Sequence, residues 1–268
     1  LVTANERGAT RCSAFGDGTR AARGAVAIAA LFLFGTAARA DELHVAVASN
    51  FAPVMQRLVP LFEQASTHKL LVSSGATGKF YAQIKNGAPF EVLLAADAET
   101  PARLENEGAA VAGSRFTYAI GKLVLWSAQA GLIDDTASVL MQGRFTRLAV
   151  ANAKLAPYGK AAEQVLAALN LTASVAAKRV VGENIAQTQQ FIASGNAELG
   201  FVALSQIMFD GTLRDGSAWL APQDLYEPIR QDAIILAAGA GKPAPLAFVR
   251  FLQSPETRNT IRAYGYDL

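Results

Sequence analysis

The chain has 268 residues, 51% hydrophobic and 17% charged, a balance that excludes a disordered protein and fits one large or two modest globular domains. Of its 24 basic and 22 acidic residues, five arginines and two acids fall in the first 40 positions, leaving 19 and 20, or about −1, for residues 41–268. Without a basic surplus there is no electrostatic case for nucleic acid or an anionic membrane as partner.

In chain order, the first segment reads as an export signal. Arg7, Arg11, Arg20 and Arg23 precede an apolar run over 25–34 that is too short to span a bilayer, and Ala38-Arg39-Ala40 supplies an A-x-A cleavage signal after Ala40. A buried helix or a membrane anchor is the alternative. The basic part is longer than usual and begins with Leu1, so the true translation start is expected further along the chain. Cys12 precedes the apolar run and so does not mark a lipoprotein. Its removal with the signal leaves a mature chain without thiol, disulfide or cysteine metal site.

From residue 43 onward, short apolar runs alternate with amphipathic segments. Strands are expected over 43–48, 70–73 and 91–95, with helices over 51–65, 78–86 and 98–107 between and after them. A second unit follows, with strands at 123–126, 148–151, 179–181 and 199–202 and helices over 158–169 and 185–194. A strand at 233–236 and helices over 245–252 and 255–263 complete the chain. Strands alternating with helices of about ten residues indicate βαβ units and parallel sheets. No short repeat is visible.

Four junctions share one design, a strand entering a helix through small or capping residues. They are Ala48-Ser49-Asn50-Phe51, Ser74-Gly75-Ala76-Thr77-Gly78, Leu155-Ala156-Pro157-Tyr158-Gly159 and Gly182-Glu183-Asn184-Ile185. Ser49 or Asn50, Thr77 and Asn184 are candidate helix caps, and Pro157 suits a first helical position. Helix N-termini carry unpaired N–H groups and partial positive charge, so four converging on one point could hold a dianion with neutral donors alone. The second junction ends in Gly78-Lys79 and invites comparison with a nucleotide loop. That motif fails at both ends, with Ser73 where a glycine is required and Phe80 where a magnesium-binding hydroxyl is required. The dinucleotide fingerprint lacks its first glycine as well. With only His44 and His68 available, neither a Ser-His-Asp triad nor a zinc site has a recognisable partner set.

The same stretches, extended through Tyr81-Ala82-Gln83-Ile84, 86–97, 198–202 and Tyr264-Gly265-Tyr266, closely resemble the periplasmic molybdate-binding proteins of ABC transporters over nearly the whole mature chain. The resemblance implies a two-lobed α/β binding protein of the type II class, with parallel-rich sheets flanked by helices and two crossover strands as hinge. Residues 41–120 and 230–268 would form one lobe and residues 121–229 the other. It further implies a non-enzymatic periplasmic protein that captures molybdate or tungstate between the lobes and delivers it to a membrane permease. The protein would act as a monomer, with no cofactor and no free metal cation. Ser49 and Thr77 would each give a hydroxyl and an N–H, Asn50 would add to them, and Tyr158 and Ile185 would give backbone N–H groups. One departure stands out. Relatives carry a tyrosine near the position of Ala203, and Asn50 or the Tyr158 hydroxyl is expected to take its place. Lys79 and Lys160 are expected to be solvated. The rival readings are a binding protein for sulfate, phosphate or thiosulfate and an exported α/β enzyme.

Overall fold

The computed structural model describes residues 41–268, so the expected export signal and its cleavage site lie outside the described residues. The chain lays down β1 (Glu42–Ala48), α1 (Ala52–Ala65), β2 (Lys69–Gly75), α2 (Thr77–Lys85), β3 (Val92–Leu94), α3 (Glu99–Asn106) and β4 (Phe116–Gly121). After Lys122 alone it resumes as β5 (Leu123–Ser127), α4 (Ser138–Met141), β6 (Leu148–Ala151), α5 (Pro157–Ala168), α6 (Thr172–Val175), β7 (Arg179–Gly182), α7 (Ile185–Ala193) and β8 (Leu199–Ala203). There follow α8 (Leu204–Ile207), a small hairpin of β9 (Met208–Phe209) and β10 (Thr212–Leu213), and β11 (Ser217–Leu220). The chain ends with β12 (Ile229–Ile235), α9 (Pro243–Leu252) and α10 (Pro255–Ala263).

These elements build two five-stranded sheets of matching design. The first runs β2-β1-β3-β12-β4, with β1, β2 and β3 parallel and β12 antiparallel to its neighbours. The second runs β11-β5-β8-β6-β7, with β6, β7 and β8 parallel and β5 antiparallel to β8. Helices cover both, which is why the central strands are apolar throughout rather than alternating. Helix α1 shows the complementary pattern. Val54, Met55, Leu58 and Phe62 recur at helical spacing and bury against β1, whose Leu43, Val45 and Val47 are fully buried.

The expected two-lobed α/β architecture is therefore present. Strand β4 and the first half of β12 were not anticipated, and both have a physical reason. Within 116–127 the sequence reading places a strand only at 123–126, yet residues 116–121 form a strand of the other sheet, and the chain passes between the sheets at Gly121–Lys122. The start of β12 is polar, but Gln231 and Asp232 are buried, and the register slips between them. Asp232 is compensated there by Arg115 Nη1 at 2.7 Å and the Thr117 hydroxyl at 2.7 Å. Helices α4, α6 and α8 are single turns, too short for periodicity to reveal. Ala48 and Ala96 of the first lobe pack into the same buried cluster as Leu123, Leu148 and Phe201 of the second, so an apolar seam joins the lobes.

Candidate functional site

All four junctions lie at the carboxyl ends of parallel strands, β1, β2, β6 and β7, where open α/β sheets hold their ligands. Their tips converge on one small cavity of about 10 Å³. Ser49, Asn50, Thr77, Tyr158 and Ile185 all line it, and each is at least 95% buried. No Asp, Glu, Lys, Arg or His side chain contributes to the wall. So small a void has no room for a nucleotide or sugar, whose pockets measure several hundred cubic ångströms.

On the first-lobe side the chemistry is supplied by hydroxyls. Thr77 opens α2 as its first residue, and its hydroxyl does not cap the helix as the sequence suggested; the cap position belongs to Ala76. Instead, Thr77 Oγ1 accepts a hydrogen bond from the Ala96 N–H at 3.0 Å. That bond occupies an oxygen lone pair and leaves the hydroxyl proton free to be donated into the cavity. Ser49 begins a 3₁₀ turn over Ser49–Phe51, and neither Ser49 nor Asn50 caps α1 with its side chain. The Ser49 hydroxyl instead reaches across the cleft to Asn184 Oδ1 at 3.3 Å, a long bond for which an ion between them would compete.

The opposite side of the cavity is formed by two helix N-termini. Pro157 takes the first position of α5, as expected, and Asn184 caps α7 by accepting from the Gln187 N–H at 3.0 Å. The N–H groups of Tyr158 and Ile185 fall within the first turns of these helices and so have no intrahelical acceptor. Gly159 permits this placement. A β-carbon there would overlap the Ala151 carbonyl at the end of β6, so only glycine lets α5 approach so closely. Between the lobes, the Gly78 N–H donates to the Leu155 carbonyl at 3.0 Å.

Behind the cavity lies a buried polar cluster that the sequence reading did not find. Asn50 Nδ2 donates to Gln231 Oε1 at 2.8 Å and to the Tyr266 hydroxyl at 2.9 Å, while Gln231 Nε2 donates to the Tyr158 hydroxyl at 3.0 Å. Ser205 donates to the Asn50 carbonyl at 2.8 Å. Burial raises the phenols of Tyr118 and Tyr158 well above their usual range and pushes Tyr266 up to about 12, so the cluster is uncharged at neutral pH. These bonds correct the expectation for Ala203. Both Asn50 side-chain donors are spent inside the cluster, and the Tyr158 hydroxyl is turned to Gln231, so neither stands in for the tyrosine. Ala203 itself is fully buried and does not line the wall. The C-terminal Tyr264-Gly265-Tyr266 was the one signal in the sequence that pointed toward this cluster.

Charges stand outside the cavity and cancel. Lys79 is not simply solvated, for its Nζ meets Glu183 Oε2 across the cleft at 2.6 Å. Lys160 pairs with Glu227 at 3.2 Å, and both are exposed. Glu183, the carboxylate within the four junctions, is thereby turned away from the ion cavity. Among the described residues no cluster of His, Cys, Asp or Glu is arranged to hold a metal ion, and no helix is long and apolar enough to cross a membrane.

Three comparisons bear on this geometry. Residues 43–267 match the family model of bacterial extracellular solute-binding proteins. The chain is 57% identical over 236 residues to the molybdate-binding protein ModA of Azotobacter vinelandii, covering 88% of this chain and 94% of that one. It is 44% identical over 243 residues to ModA of Rhodobacter capsulatus, covering 91% and 95%. Among solved structures, an Azotobacter vinelandii periplasmic molybdate-binding protein superposes with a TM-score of 0.82 at 42% identity, covering 84% of this chain and 99% of that one.

Proposed function

Since the chain belongs to the bacterial extracellular solute-binding proteins, and within them to the molybdate-binding proteins, we propose that it captures molybdate for an ABC transporter. It is a binding protein and not an enzyme. The ion enters between the lobes, receives hydrogen bonds from both, and holds them together. Ser49 and Thr77 supply hydroxyls and N–H groups, and Asn50, Tyr158 and Ile185 supply backbone N–H groups. Tungstate, with the same shape and charge, binds in the same way. We assign residues 41–120 and 230–268 to one lobe and 121–229 to the other, supported by the membership of the two sheets. The protein acts in the periplasm as a monomer, after export by residues 1–40 and cleavage following Ala40, and hands its ion to a membrane permease.

The observation that carries this reading is the neutral wall. A tetrahedral dianion that bears no proton accepts at every oxygen, and the helix N-termini and hydroxyls meet it with donors alone. Hydrogen phosphate brings a proton that needs an acceptor. Thr77 Oγ1 already accepts from Ala96 and Asn184 Oδ1 from Gln187, and Glu183 is paired with Lys79, so no carboxylate faces the cavity to take that proton and phosphate is disfavoured. Sulfate shares the charge of molybdate but has shorter bonds, and fit decides between them.

Melting the mature protein with each ion tests the proposal. At a hundredfold excess over Kd, a ligand bound only by the folded state adds about 2.7 kcal/mol. Molybdate and tungstate should raise the melting temperature, sulfate less, and phosphate not at all. No shift with molybdate, or an equal shift with sulfate, rejects the assignment.

A further inference from the structure

Gln231 is fully buried on β12, at the point where that strand slips register, and its amide is hydrogen-bonded through both its oxygen and its nitrogen. Its Oε1 accepts from Asn50 Nδ2 at 2.8 Å and shares the single Tyr118 hydroxyl proton, at 3.1 Å, with the Ala95 carbonyl at 3.0 Å, and its Nε2 donates to the Tyr158 hydroxyl at 3.0 Å. One side chain thus ties Asn50, on the first-lobe wall, to Tyr158, at the head of α5 on the second. Space is reserved for the link. Gly121, the last residue of β4, is paired with Ile229 of β12, and a β-carbon there would overlap the Tyr158 phenol oxygen. The Gln231–Tyr158 bond therefore sits over the place where the chain crosses between the sheets.

We infer that Gln231 is a positioning residue for the ion site. It holds the loop ends of the two lobes at the spacing from which both can donate to one ion, without touching the ion itself. This rests on the oxyanion-capture reading above. Asn50 and Gln231 belong to the same lobe, so their bond survives any lobe movement. The bond to Tyr158 spans the lobes and is lost when they part. A buried amide bonded at both ends fixes geometry strongly, because in a low-dielectric interior each broken bond leaves a group that water cannot reach.

Tyr158→Phe removes only the phenol oxygen and leaves the ring and the backbone N–H. Gln231→Met removes the amide at nearly constant length. Molybdate titration and stopped-flow release should be measured for wild type, both single variants and the double variant. Each single variant should bind about five- to tenfold more weakly, with the loss lying mainly in faster release. The double variant should be no weaker than the worse single, because both remove the same link. If Gln231→Met does not fold, Tyr158→Phe carries the test alone. Losses that multiply in the double variant, or melting temperatures that fall while affinity and release stay at wild-type values, overturn the inference alone. A wild type that binds no molybdate overturns the proposed function and this inference with it.

Discussion

The two walls of the cavity reach the same end by different chemistry. The first lobe presents the hydroxyls of Ser49 and Thr77 in addition to main-chain donors, whereas the second presents the N-termini of α5 and α7, with Tyr158 and Ile185 acting through their backbone. A hydroxyl can be deleted by one substitution. A backbone N–H can only be displaced. In the proposed site the first wall should therefore be sensitive to side-chain chemistry and the second to anything that moves a helix.

The strongest way to break this comparison is Gly159→Ala. The new methyl group would collide with the Ala151 carbonyl, backbone against backbone, and push α5 outward. Overpacking of this kind costs about 1–3 kcal/mol. Because α5 carries a donor, molybdate affinity should fall by more than the loss of any single hydroxyl, read by calorimetry beside a melting curve. Thr77→Ala comes next. It deletes a donor to the ion and strands the Ala96 N–H, so affinity should fall by about 1–3 kcal/mol and the melting temperature should fall as well. Ser49→Ala should cost affinity in the same range but toward its lower end, with little change in melting, because its bond to Asn184 is long. Equal melting losses in the two variants would remove the structural role given to Thr77.

Substitutions on the other side sharpen the contrast. Ile185→Ala keeps the N–H while emptying a buried site, so stability should drop by about 2–5 kcal/mol with affinity held within about threefold. A large loss of affinity in a folded variant would show that the side chain, not the backbone, is what the site uses. Smallest of all should be Lys79→Ala and Glu183→Gln, which open an exposed ion pair across the cleft. Such pairs contribute little, so affinity should change by at most about threefold, and less at high salt.

The alternation of apolar strands and amphipathic helices was enough to determine the α/β class, because burial on both faces of a parallel sheet leaves an unbroken apolar signature. The repeated strand-to-helix junctions likewise marked Ser49, Asn50, Thr77, Pro157 and Asn184, since helix starts need small, capping or proline residues whatever their function, whereas Tyr158 and Ile185 were named by the family resemblance. Tertiary structure alone decided how those residues are used. Thr77 turns its oxygen to Ala96, Asn50 gives its side chain to Gln231 and Tyr266, and Lys79 finds Glu183 104 positions away. The passage between sheets at Gly121–Lys122 and the polar start of β12 were hidden for the same reason. Local patterning records which face of a segment is buried, but the partner of a buried polar group is set by chain crossings between distant segments, and these leave no period in the sequence.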